Sequence, residues 1–249
     1  MDNSLLVSLS QQLAAYRSMD VIANNLANAS TPGFKRESAK FEEYITQVAP
    51  SEGQTGQQTV SFVKDAGISR DSSQGAIQGT GAPLDFAING KGFFAVQTPA
   101  GIRYTRDGHF TLDANGQMVT GDGYAVQGDS GAITVTPDDQ NVQVSGDGTI
   151  SSIINGISNQ IGKLQVSQFA DDGALNKQGG NLYSTSQSPT VAIDSFIKQG
   201  ALESSNVQPV VEISHMIEVM RAYQATASLN QSQEDLTRQA IDKLGAMPN

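Results

Sequence analysis

Cysteine and tryptophan are both absent from the 249 residues. Without cysteine there is no disulfide framework, no thiolate nucleophile and no Cys-ligated zinc, and the redox compartment is left open. Basic charge is scarce: 15 Lys and Arg against 25 Asp and Glu give a net charge of -10. The chain therefore lacks the positive field that nucleic acid requires. No apolar run approaches the roughly 20 residues that span a bilayer, which argues against membrane insertion. The N-terminus, MDNSLLVSLSQQLAAYR, opens on an acid rather than a basic segment, and Gln11-Gln12 interrupt its apolar part. It is not a Sec signal, so the chain stays in the cytosol or leaves by a route that reads another signal.

Catalytic side chains are equally few. Of the two histidines, His109 sits between Asp107 and Asp113 in a strand-turn-strand stretch, and no G-x-S-x-G elbow accompanies it. His215 shares a three-residue rhythm with Glu212 and Glu218, as in Glu-x-x-His metal sites, but the second such pair is missing. These three are expected to form a solvated stripe on a helix. The glycines of GKGFF and GDGY lack the strand-to-helix setting of a dinucleotide fingerprint, and the GDG tripeptides at 121–123 and 146–148 lack the ligands of a calcium loop. No cofactor, metal or catalytic constellation is predicted.

Glycine and proline divide the chain. Residues 1–31 and 210–244 contain neither, while 23 of the 25 glycines lie between Gly53 and Gly200. Both residues punctuate turns and are disfavoured in helices, so the order is helix, β-rich middle, helix. The first helix is expected over about residues 3–28, with Leu5, Leu9, Leu13, Tyr16, Met19, Ala23 and Leu26 on one stripe. Pro209 suits a first-turn position, and the last helix should run from there towards Leu244. At about 54 Å it is long enough to want a partner along its length. Asn89-Gly90, Asp107-Gly108, Asn115-Gly116, Asp122-Gly123, Asp147-Gly148 and Asn155-Gly156 are hairpin-type turns separating short apolar runs. The predicted class is α+β, an antiparallel hairpin-rich domain with a paired helical domain made from the two ends. The boundaries are a helix over 1–34, an extended arm or connector over 35–82 (an extended connector or mobile loop in its 49–82 part), a β-rich domain over 83–200 and a second helix over 201–249.

Both terminal segments are short of charge. Residues 3–34 carry only Arg17 and Asp20, if the basic pair that follows is left out, and AYQATASLNQSQ (222–233) carries none. Helices with a solvated face normally place Lys and Glu on it. Small and uncharged polar residues instead permit close approach without desolvating ions. Contact with other subunits is favoured over a purely intramolecular helical hairpin, which stays open as the plainer reading.

DVIANNLANASTPGFKRE (20–37) resembles the N-terminal signature of the bacterial flagellar rod and hook axial proteins. LDFAINGKGFFAVQTPAGIRYTRDGHFTLDANGQMVTGDGYAVQG (84–128) is similar to the family's central segment, and GALESSNVQPVVEISHMIEVMRAYQ (200–224) to its C-terminal one. Within the family, the length and the Ala29–Phe34 spelling lean to the proximal-rod branch, with the distal-rod branch as the near alternative. The resemblance implies a structural subunit without enzymatic activity, exported by the flagellar type III apparatus and polymerising into a hollow, torque-transmitting tube that crosses the periplasm. Its implied partners are copies of itself and other rod and hook-family axial proteins. The terminal helices would pair in the inner layer, with the segment after the first helix reaching neighbours. Surfaces expected to meet other subunits are Leu5, Leu9, Leu13, Tyr16, Asn24, Asn25, Leu26, Asn28, Thr31, Pro32, Gly33 and Phe34 at one end. At the other they are Asn206, Ile213, Ile217, Met220, Arg221, Tyr223, Leu229 and Leu236. A secreted β-rich binding module with a helical anchor is the alternative from another class.

Overall fold

The computed structural model describes residues 3–48, 58–136, 139–154 and 157–245. The chain divides into two compact units. The first takes Met1–Ala27, Glu37–Arg70 and Gln208–Asn249; the second takes Asn28–Arg36 and Asp71–Val207. Each therefore contains segments from both halves of the sequence.

In the first unit, helix α1 spans Asn3–Ala27 and α2 spans Pro209–Gly245. Pro209 occupies the position where a missing N–H costs nothing, and the amides of Val211 and Glu212 donate to the carbonyl of Gln208. Between the helices in sequence lies a long antiparallel hairpin, β1 (Glu37–Val48) with β2 (Gln58–Arg70). The expected connector over 35–82 is thus largely paired strand. Its Gln, Ser and Thr content hid the pairing, because a two-stranded ribbon needs no alternating apolar face to satisfy its backbone. A register shift between Lys40 and Phe41 lies beside Gly67, whose φ is +103°, a bulge that bends the ribbon.

The second unit is β-rich. Strands β3 (Ile77–Gly79), β4 (Phe86–Asn89), β5 (Phe93–Thr98), β6 (Gly101–Thr105), β7 (Phe110–Leu112), β8 (Met118–Thr120) and β9 (Ala125–Gly128) come first. The largest sheet runs Asn176–Lys177, Leu182–Ser184, β6, β5, β9, β8, β7, all neighbours antiparallel. The turns read from Asn-Gly and Asp-Gly pairs fall between strands as expected, except Asn155-Gly156, which lies outside the described residues. Strand β5 explains its own composition: Phe94 and Val96 enter one buried cluster with Phe86, Phe110 and Met118, while Phe93 and Ala95 enter another with Tyr104, Phe169 and Tyr183. A strand covered on both faces reads as a continuous apolar run rather than an alternation.

Candidate assembly surface and the buried signature

Helix α1 carries apolar side chains on its outward side as well as its inward one. Leu5, Leu9, Leu13 and Tyr16 are exposed, whereas Val21, Ile22 and Asn25 are buried. At about 100° per residue these two sets fall on opposite sides of the helix. The inward side meets the hairpin through polar groups: Ser10 Oγ accepts from the Val63 amide (3.3 Å) and Arg17 pairs with Asp65 (3.4 Å). Along α2, Val210, Ile213, Ile217, Met220, Leu229, Leu236 and Ile241 are likewise exposed. Asn24, Arg221 and Tyr223 share this exposure, while Leu26, Asn28, Thr31, Pro32 and Asn206 are half-buried.

Three residues of the N-terminal signature are placed differently. Asn25, Gly33 and Phe34 are enclosed by their own chain rather than offered to a neighbour. Asn25 closes the first unit: its amide nitrogen donates to the Glu37 carbonyl (2.7 Å) and to Glu212 Oε2 (3.2 Å), and its oxygen accepts from the Glu37 amide (2.9 Å). One side chain thereby ties the end of α1, the start of β1 and the first turn of α2. Glu212, expected on a solvated stripe, is fully buried. The stripe reading failed because a first-turn glutamate was counted with its helix alone, without the asparagine that arrives from the other end of the sequence.

Gly33 and Phe34 belong to the second unit. Gly33 has φ +68°, and a Cβ there would come within 2.5 Å of the Arg106 carbonyl carbon. Its amide donates to the Glu203 carbonyl at 2.7 Å. The Phe34 ring is 1 % exposed and carries the Lys177 ammonium 4.2 Å above its centre. Asn206 is a second clasp here: its oxygen accepts from the Arg36 amide (2.7 Å), and its nitrogen reaches the carbonyls of Asp71 (3.0 Å) and Ser73 (3.1 Å).

Lys35, the first of the basic pair after Phe34, is at the centre of a buried ionic cluster. Its side chain is 3 % exposed and donates to Glu203 Oε1 (2.5 Å) and the Ser73 carbonyl (2.7 Å). Glu203, at 0 %, also stands 3.2 Å from Arg106 Nη1 and accepts from the Gly75 amide at 3.0 Å. Arg106 in turn donates to the carbonyls of Ile88 and Gly90. Burial pulls the Lys35 ammonium below its ordinary value against the pull of Glu203, and it lowers the Arg106 guanidinium in the same way. The sequence signal was a Lys-Arg pair following Phe34, which does not distinguish a buried lysine from a solvated one.

His109 bonds Asp85 through Nδ1 at 2.7 Å and remains more than half exposed; burial raises the neighbouring Asp107 carboxyl. Among the described residues, no group of three or more His, Asp or Glu side chains converges where a metal could sit. None of the described helices is long and apolar enough to cross a membrane.

One unit with two helices that leave apolar side chains exposed, and a second unit that is β-rich, define the class: an α+β protein with uncovered apolar helix surface. Three family descriptions match in order along the chain. Residues 5–35 match "Flagella basal body rod protein", 87–152 match "Flagellar hook protein FlgE/F/G D1 domain", and 198–243 match "Flagellar basal body rod FlgEFG protein C-terminal". The chain is 41% identical over 248 residues to "Flagellar basal-body rod protein FlgF" of Caulobacter vibrioides, covering 98% of this chain and 99% of that one. It is 34% identical over 250 residues to the protein of the same name from Mesorhizobium japonicum, covering 99% of each. It is 37% identical over 256 residues to "Flagellar basal-body rod protein FlgG" of Buchnera aphidicola subsp. Schizaphis graminum, covering 94% and 97%. The chain belongs to the FlgE/F/G family of flagellar hook and basal-body rod proteins.

Proposed function

We propose that this chain is a structural subunit of the flagellar basal-body rod, on its proximal part, that polymerises through α1 and α2 with copies of itself and with related axial proteins. The observation that carries this reading is the outward face of α1, which turns Leu5, Leu9, Leu13 and Tyr16 to solvent while Asn25 is kept inside. Covering the exposed half of a Leu or Ile side chain gains about 1 kcal/mol. A full set on both helices therefore matches the roughly 4–15 kcal/mol cost of association. Sparse charge along the same helices keeps desolvation small when they pack. Export N-terminus first through the flagellar type III apparatus is part of this reading, supported by family membership.

Replacing Leu9 and Leu13 by Asp tests it in a strain lacking the native copy. The purified double variant is expected to keep the far-ultraviolet spectrum of the parent, because both side chains lie on the exposed side of α1. Isolated basal bodies should lack rods and cells should not swim. Normal swimming with stably produced variant protein would sink the proposal.

A further inference from the structure

The enclosed cations of the second unit come long before their counter-ion in the sequence. Glu203 lies 168 residues after Lys35 and, among the described residues, is the one carboxylate in ion-pair contact with both Lys35 and Arg106. It arrives on the strand Ala201–Glu203, which pairs with β3. The same residue accepts the Gly33 amide on its carbonyl and the Gly75 amide on its side chain. Gly75 is held so closely that a Cβ would lie 1.9 Å from the Ser204 carbonyl oxygen. Two dehydrated cations without a counter-charge repel each other and lose hydration together, so the enclosed arrangement is not populated until the carboxylate is in place.

We propose that Glu203 is a completion latch: the second unit closes over Lys35 and Arg106, and docks the segment 31–36, only after the strand Ala201–Glu203 has joined it. A chain delivered N-terminus first then stays open until nearly all of it has emerged. That use rests on the export reading above, whereas the latch itself does not.

The test is hydrogen exchange on the purified full-length protein, read at the Gly33 and Arg36 amides, which donate to the Glu203 carbonyl and to Asn206 Oδ1. Glu203→Gln keeps an acceptor for Gly75 but removes the charge, and protection at both amides is expected to fall by roughly 100-fold or more. Adding Lys35→Met and Arg106→Met to Glu203→Gln removes the need for a counter-charge and should restore protection to within about tenfold of the parent. The same two changes added to Phe94→Ala, which weakens the buried core instead, should restore nothing. Undiminished protection in Glu203→Gln overturns the latch. So does a loss that persists after both cations are removed, even if the variant proves unfolded throughout. All readouts are in purified protein, so failure of the export reading leaves them unchanged.

Discussion

Asn25 offers the sharpest test of how the first unit is held together. Replacing it by Ala removes the acceptor of the Glu37 amide, a donor to the Glu37 carbonyl and a donor to Glu212 Oε2. Stranding a buried N–H costs about 1–3 kcal/mol, and weakening a buried carboxylate's bonding costs more than a neutral contact. The carbonyl loss is milder, so the expected total is about 3–5 kcal/mol. Asn25→Asp separates this account from one based on shape. It preserves the volume and the acceptor, yet it puts a carboxylate where the amide donated, facing Glu212 Oε2 and the Glu37 carbonyl. At pH 7 it should therefore be less stable than Asn25→Ala. Burial beside Glu212 would hold the introduced carboxyl's folded pKa above its unfolded value. The folded state then binds the extra proton first, and stability of Asn25→Asp relative to Asn25→Ala rises as pH falls through that folded pKa. Urea unfolding followed by circular dichroism at 222 nm, with hydrogen exchange at the Glu37 amide, measures both effects. A cost below about 1 kcal/mol for Asn25→Ala, or parental stability for Asn25→Asp at pH 7, would refute the reasoning.

Two further outcomes concern the second unit. Gly33 and Gly81 have nearly the same φ, +68° and +73°, but only at Gly33 would a Cβ meet backbone, while nothing lies within 4 Å at Gly81. Gly81→Ala should cost about 1 kcal/mol and Gly33→Ala about 2–4 kcal/mol in urea unfolding; equal costs would deny the close approach. Asp147 is drawn down from 3.8 to about 2, first by its bonds from Thr149 and then by Lys163. Its folded pKa is depressed, so its contribution is present above the unfolded value and fades as pH falls through about 2. A carboxyl titration by NMR should find that value in the parent and a higher one in Thr149→Ala.

The helix–strand–helix order was legible because glycine and proline act locally, and the two long stretches without them are the two helices. The hairpin turns were legible for the same reason. The β1–β2 ribbon was not, since its pairing is satisfied by backbone groups that any polar sequence provides. Within α1, spacing could group Leu5, Leu9 and Leu13 but could not say which way that stripe faced. The direction depends on the hairpin that occupies the other side, brought by residues 37–70. The buried roles of Asn25 and Lys35 were hidden in a different way. Their partners, Glu212 and Glu203, lie 187 and 168 residues further on, and no local pattern in either segment reports the meeting.

These placements separate two tasks that a compact signature run together in sequence. Asn25 serves the first unit and Gly33, Phe34 and Lys35 serve the second, each by contacts inside the chain. A surface that meets a neighbour gains nothing from a fully enclosed side chain, so changes at these positions act on folding first and on assembly as a consequence. The four outward residues Leu5, Leu9, Leu13 and Tyr16 have the opposite character, because α1 is already held on its inward side by Ser10, Arg17, Val21 and Asn25. Nothing in the folding of one chain accounts for apolar side chains kept in water on a helix that has a covered face available. We therefore propose that the assembly role belongs to the stripe that precedes the signature, and that the signature's enclosed residues hold each unit together by contacts within it.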